Sequence, residues 1–184
     1  MSAFETGLER ILYWEGGTSN HAADPGGLTI CGIASHVYPQ DVQAMRTMPP
    51  EQQRAHAAGI YRRDYWDRIQ GDQLERIAGE ALAVEVFDFA VNAGIGRAAI
   101  VLQKLINCLG GFGSRWAPLT QDGQVGVETL TALGKAVSAK FKPILAPAYR
   151  SERADFYLEL GAGTPKNQFL RGWLRRTFDL REGQ

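Results

Sequence analysis

Apolar positions along this chain recur mostly at helical spacing. Phe4, Leu8, Ile11 and Leu12 follow Ser2-x-x-Glu5, a capping-box pattern, so the chain is predicted to open with a helix that Gly16-Gly17 ends. The pattern then breaks. Gly17, Ser19, Asn20 and Asp24-Pro25-Gly26-Gly27 are turn formers, and short strands are predicted around Leu28–Ile33. From Pro49-Pro50 onward helices dominate. Pro50 suits the first turn of a helix running through Arg62, with Tyr61, Tyr65 and Trp66 clustered near its end. Ile77, Ala81, Val84 and Phe87 predict one helix over 75–92, and Ile100, Val101, Leu105 and Leu109 another over 97–109, stopped by Gly110-Gly111. A loop follows, then helices near 127–140, 144–160 and 165–177, the last opened by Thr164-Pro165 as cap residue and first-turn proline. The fold class is α+β, predominantly α-helical, with one small β element. A soft boundary near Asn92 separates 1–91 from 92–184. Apolar patterning continues across it, so the two regions are expected to pack as a single compact unit.

Composition narrows the function. Of 184 residues, 45 % are hydrophobic and 22 % charged, which excludes a disordered or collagen-like chain. Twenty basic and twenty acidic side chains cancel. That balance argues against nucleic acid or a membrane surface as the main partner. No stretch approaches the ~18–20 apolar residues of a membrane span, so no stable membrane insertion is expected. The acidic N-terminus lacks the apolar core of a secretory signal. The expectation is synthesis in the cytoplasm, with a separate release route if the protein acts outside. Cys31 and Cys108 are too few for a disulfide scaffold and leave two readings, free thiols or one bridge. With no CxxC or HExxH spacing, and with His21, His36 and His56 scattered, no metal or cofactor is expected. Charge is unevenly placed. Residues 1–30 carry Glu5, Glu9, Glu15 and Asp24 against Arg10, and residues 166–184 carry Lys166, Arg171, Arg175, Arg176 and Arg181 against Asp179 and Glu182.

The segment richest in chemistry joins Trp14-Glu15-Gly16-Gly17 to Asp24-Pro25-Gly26-Gly27-Leu28-Thr29. Glu15 falls at a helix end, beside partial negative charge and next to an indole that would desolvate it. Both effects favour the protonated carboxyl that general-acid catalysis needs. Asp24 lies across a turn-rich stretch able to fold back, and Thr29 offers a hydroxyl to hold water. Two carboxyls and a hydroxyl on one cleft is glycosidase chemistry. The plainer alternative, a solvated helix-end carboxylate and an ordinary turn, stays open on spacing alone.

Other signals are bland. Gly94-x-Gly96-x-x-Ala99 imitates a dinucleotide fingerprint, but the run before it has helical spacing and a helix–helix turn accounts for it better. Asp122-Gly123 lacks the further carboxylates of a calcium loop. Asp64 and Asp67 have Arg62, Arg63 and Arg68 as ready partners. Tyr61, Tyr65 and Trp66 suit either sugar stacking or a core. Arg171, Arg175 and Arg176 suit either attraction to an anionic cell wall or a solvated helix face.

Taken in order, Glu15-Gly16-Gly17, then Asp24, Gly26, Gly27, Thr29, Gly32 and Ile33, resemble the N-acetylmuramidases of glycoside hydrolase family 108. The resemblance extends through Ile60–Asp67, Val86–Gly94, Leu102-Gln103 and Phe169–Arg176. The part after about Asn92 looks like the peptidoglycan-binding half that accompanies this family. The spacing of Glu15, Asp24 and Thr29 is also similar to the triad of phage-type lysozymes, with the threonine one residue early. Thr18 stands where many members have an aromatic residue, and Ile30 where many have a polar one. The resemblance implies a lysozyme-like fold with its β element beside the active-site cleft, and hydrolysis of bacterial peptidoglycan after N-acetylmuramic acid. It implies Glu15 as general acid with Asp24 and Thr29, and Gly16, Gly17, Gly27, Tyr61, Tyr65, Trp66 and Asn92 as substrate contacts. A monomer released through a holin or a dedicated route is expected. The competing readings are a non-catalytic binding or export-assisting module and a lytic transglycosylase.

Overall fold

The computed structural model describes residues 1–15, 18–19, 28–111 and 113–181. Helix α1 (Ala3–Glu15) opens with the expected capping box: the Glu5 amide donates to Ser2 Oγ and the Ser2 amide to Glu5 Oε2. Its buried face carries Ala3, Phe4, Gly7, Leu8, Arg10 and Ile11. Three two-residue strands follow, β1 (Thr18–Ser19), β2 (Thr29–Ile30) and β3 (Ile33–Ala34), paired antiparallel in the order β1-β2-β3. Thr29 pairs with Ser19 on one side and Ala34 on the other. The β2–β3 turn is Cys31-Gly32, both at positive φ (51° and 77°), the backbone of a tight hairpin turn.

A short helix that the periodicity did not reveal, α2 (Pro39–Met45), precedes α3 (Pro50–Tyr61), which runs into a π-helical turn, Arg62–Trp66. The single helix expected over 75–92 is two: α4 (Gly71–Ala78) and α5 (Glu80–Ala93), separated by Gly79 at φ 94°. The apolar spacing runs on because both helices face one core. Then come α6 (Ile95–Leu109), α7 (Val127–Ser138), α8 (Lys142–Gly161) and α9 (Asn167–Thr177). Thr164-Pro165 precedes α9 without capping it. The N-cap is Lys166, whose amide donates to the Thr164 hydroxyl at 3.3 Å, while that hydroxyl donates back to the Leu160 carbonyl at 2.8 Å.

Helix α5 is the axis. Every residue from Leu82 to Ala90 is buried, and α1, α4, α6 and α8 pack around it. A helix apolar on all sides belongs in a core. One apolar cluster runs from Phe4 and Ile11 through Phe87 and Leu102 to Leu133, Tyr149 and Tyr157. Phe4, Trp66 and Phe87 meet with ring centroids 5.2–5.6 Å apart. Gly7 lies so close to Phe87 that a Cβ there would fall 2.7 Å from its ring.

Among the described residues the segment between α6 and α7 has no regular structure, yet two α6 side-chain amides one turn apart hold it. Asn107 Nδ2 donates to the Leu119 carbonyl (2.9 Å), and its Oδ1 accepts from the Leu119 amide (2.7 Å). Buried Gln103 donates to Asp122 Oδ1 and the Gln124 carbonyl and accepts from the Gly123 amide. The Asp122-Gly123 pair is a turn, and Gly94, at φ 95°, is the turn between α5 and α6.

Candidate active site

Glu15 is the last residue of α1, its side chain 31 % exposed. The Cys31-Gly32 turn presses on its stem: a Cβ at Gly32 would sit 2.9 Å from Glu15 Cβ and collide with the Tyr61 hydroxyl. Only glycine fits there, and its φ of 77° suits glycine as well. Tyr61, at the end of α3, donates its hydroxyl to the Cys31 carbonyl at 3.2 Å. The hairpin that carries Thr29 is thus fastened to α3, with its turn against the stem of Glu15. Burial and the nearby Glu15 carboxylate raise the Tyr61 hydroxyl well above its ordinary range, so it remains a donor. Burial also pushes the Cys31 thiol up, which keeps it from serving as a thiolate nucleophile at neutral pH. Cys31 and Cys108 are both free thiols.

Behind Glu15 lies a buried charge cluster. Arg176, near the end of α9, donates from Nη1 to Glu15 Oε1 and approaches Asp88 through Nε (3.1 Å) and Nη2 (3.0 Å). Arg153 of α8 places Nη1 2.6 Å from Asp88 Oδ2, with its guanidinium over the rings of Phe89 and Tyr157. Arg10 of α1 donates to Glu85 Oε1 at 2.9 Å, and Arg150 reaches the same oxygen. Burial alone would push the Asp88 carboxyl up, but Arg153, Arg176 and Arg10 outweigh it and hold it below the usual carboxylate range. For Arg176 burial disfavours the charge, yet Asp88 and Glu15 together raise it above its ordinary value.

The structure sorts the residues singled out from sequence. Trp66 is fully buried and donates Nε1 to Asp72, so it has no face for a sugar. Tyr61 is 2 % exposed and braces the hairpin instead of stacking on substrate. Asn92 accepts from the Tyr157 hydroxyl and so links α5 to α8. Tyr65 is half-buried, its ring centroid 6.0 Å from that of Tyr61. Thr29 is half-buried in the central strand. Asp24, Gly16, Gly17 and Gly27 lie outside the described residues. Asp64 and Asp67 pair with Arg63 and Arg62. Trp14 does not simply cover Glu15; its Nε1 donates to Asp179 at 3.1 Å. Arg176 is neither a cell-wall contact nor a solvated residue, being 5 % exposed, while Arg171 on the same helix is exposed. Sequence reading missed the cluster, although signals existed: Arg10 shares a helical face with Ala3 and Gly7, and Glu85 and Asp88 interrupt an otherwise apolar run.

Among the described residues no group of His, Cys, Asp and Glu is placed to hold a metal ion, and no helix is long and apolar enough to cross a membrane. The family model described as "Glycosyl hydrolase 108" matches residues 8–94. Residues 8–94 are similar to that family. Residues 97–178 match the model described as "Predicted Peptidoglycan domain", and the two matches meet at the Gly94 turn. The solved structure of Brucella abortus SagA is similar at 26 % identity, covering 96 % of this chain and 90 % of that one, with a TM-score of 0.63. Comparison with curated proteins finds no match. The chain thus pairs a stretch similar to glycosyl hydrolase family 108 with a stretch similar to a peptidoglycan domain.

Proposed function

We propose that this protein is an N-acetylmuramidase that cuts the peptidoglycan backbone between N-acetylmuramic acid and N-acetylglucosamine, with Glu15 as general acid. The observation that carries the reading is the setting of Glu15 within the matched hydrolase stretch. It is a part-exposed carboxyl at a helix end, with a hairpin turn of obligatory glycine against its stem. A sugar alkoxide is too basic to leave unaided. Glu15 Oε2, the oxygen away from the Arg176 contact, would pass its proton to the glycosidic oxygen as the C1–O bond breaks and its electron pair moves to that oxygen. Water then adds to C1 and loses its proton to a base. Asp24 is the residue assigned that role, with Thr29 helping to hold the water. Half-buried Tyr65 is the aromatic residue assigned to stack on a sugar ring.

The test is Glu15→Gln assayed on purified peptidoglycan, with products read by mass spectrometry. The substitution keeps the shape and removes the proton. The rate should drop at least ~10²-fold with the fold intact, and the wild-type products should carry reducing-end N-acetylmuramic acid. A Glu15→Gln protein that digests the wall at wild-type speed refutes the assignment. Products ending in 1,6-anhydro sugars would make the protein a lytic transglycosylase.

A further inference from the structure

The buried charges of this protein do not balance by themselves. Among the described residues the buried charged side chains are Arg10, Arg153 and Arg176 against Glu85 and Asp88, one positive charge in excess. At the rim Arg150 and Arg181 stand against Asp179, all three partly exposed. The carboxyl group that meets this excess is Glu15, in contact with Arg176.

Arg176 is held from three sides, none of which is Glu15. Asp88 on α5 takes Nε and Nη2 in a forked contact. Arg10 donates Nη2 to the backbone carbonyls of Arg176 (2.9 Å) and Thr177 (3.3 Å), fixing the end of α9. Trp14 fixes Asp179, two residues beyond that end. Arg10 and Trp14 lie on α1, the helix that ends in Glu15. So α1 grips α9 at two points, and α9 returns one guanidinium nitrogen, Nη1, to the last residue of α1. Arg176 belongs to the stretch matched as a peptidoglycan domain, whereas Glu15 belongs to the hydrolase stretch.

We propose that Arg176 is a positioning residue for Glu15, so that the peptidoglycan-domain half completes the active site of the hydrolase half. The inference rests on Glu15 being the acid. Held by Nη1 at Oε1, the carboxyl keeps one rotamer and presents its other oxygen to the scissile bond. When the proton leaves Oε2 for the glycosidic oxygen, the new negative charge on Glu15 forms beside a cation already fixed by Asp88. The stabilisation therefore requires no reorganisation during the step.

The experiment uses the full chain and a soluble peptidoglycan oligomer, with kcat and KM measured separately. Arg176→Ala should lower kcat by about 10²-fold, the scale expected when a reacting group loses its alignment, while KM stays within about twofold because no substrate contact is removed. Added guanidinium ion, well below denaturing concentration, should recover part of the lost kcat, and sodium chloride at equal ionic strength should not. Arg176→Lys keeps a cation but cannot span Asp88 and Glu15 with a planar fork. It should fold and give an intermediate kcat, and it carries the test alone if the alanine variant does not fold. A wild-type kcat in a folded Arg176 variant, a loss confined to KM, or a folded alanine variant that guanidinium does not recover overturns the proposal. Glu15→Gln run in parallel separates the two ideas. If it is inactive while the Arg176 variants are normal, only the positioning role fails; if it is fully active, the acid assignment fails.

Discussion

Asp88→Asn is the perturbation that reads the charge cluster most directly. The carboxylate is fully buried on α5 and faces Arg153 of α8, Arg176 of α9 and Arg10 of α1, with Glu85 the other buried acidic side chain among the described residues. Asparagine keeps the shape and leaves those guanidinium groups with too little negative charge. Removing one partner from a buried ion pair costs about 3–5 kcal/mol, because the surviving charge stays desolvated. At about 2–4 °C per kcal/mol for a chain of this size, the melting temperature at pH 7 should fall by roughly 10 °C. The acid limb supplies an independent check. The folded-state pKa of Asp88 is depressed, so its contribution is present above the unfolded value near 3.8 and is lost as pH falls through the lower folded value. Wild-type stability should therefore decline below about pH 4, and the difference between wild type and Asp88→Asn should shrink there. Thermal melts by circular dichroism at several pH values measure both. A variant that melts with the wild type at pH 7, or a difference that does not narrow in acid, refutes the reasoning.

Gly32→Ala forces a Cβ against Tyr61 and Glu15 at a positive φ, so it should cost about 1–3 kcal/mol in thermal stability and reduce kcat by displacing the hairpin. Asp24→Asn should lower kcat by about 10²–10⁴-fold with an unchanged circular dichroism spectrum; near-normal turnover would shift the water-activating role to Thr29. Residues 92–184 produced alone deprive Arg153 and Arg176 of Asp88, Glu85 and Glu15, and circular dichroism should find that segment unfolded. A folded fragment would mean that the arginines find other partners or solvent.

Local physics made most helices legible. The capping box at Ser2 and Glu5, the proline opening α3 and the glycine ending α6 all act within a turn or two. Gly79 was harder, because apolar spacing reports which side faces the core and not whether the backbone is continuous. The short α2 carries only Val42 and Met45 inward, too few positions for a period to emerge. At the site, the family pattern pointed to Glu15 and the hairpin. Arg176 is different: its neighbours are 88 and 161 residues away in the chain, and on its own helix it reads as one of several surface arginines. What distinguishes it is the pairing of an acidic N-terminal stretch with a basic C-terminal one, an asymmetry visible in composition whose meaning is tertiary.

The loop held by Gln103 and Asn107 has a kinetic consequence. Its backbone amides at Leu119 and Gly123 are bonded to side chains of α6 and not to a neighbouring strand. Such a segment opens when two side-chain amides let go, without unwinding either flanking helix. Native-state hydrogen exchange should find these two amides slower than a free loop, yet exchanging through a local opening whose free energy lies well below that of global unfolding. Among the described residues the 113–126 segment would then be a place where a protease enters an otherwise folded molecule.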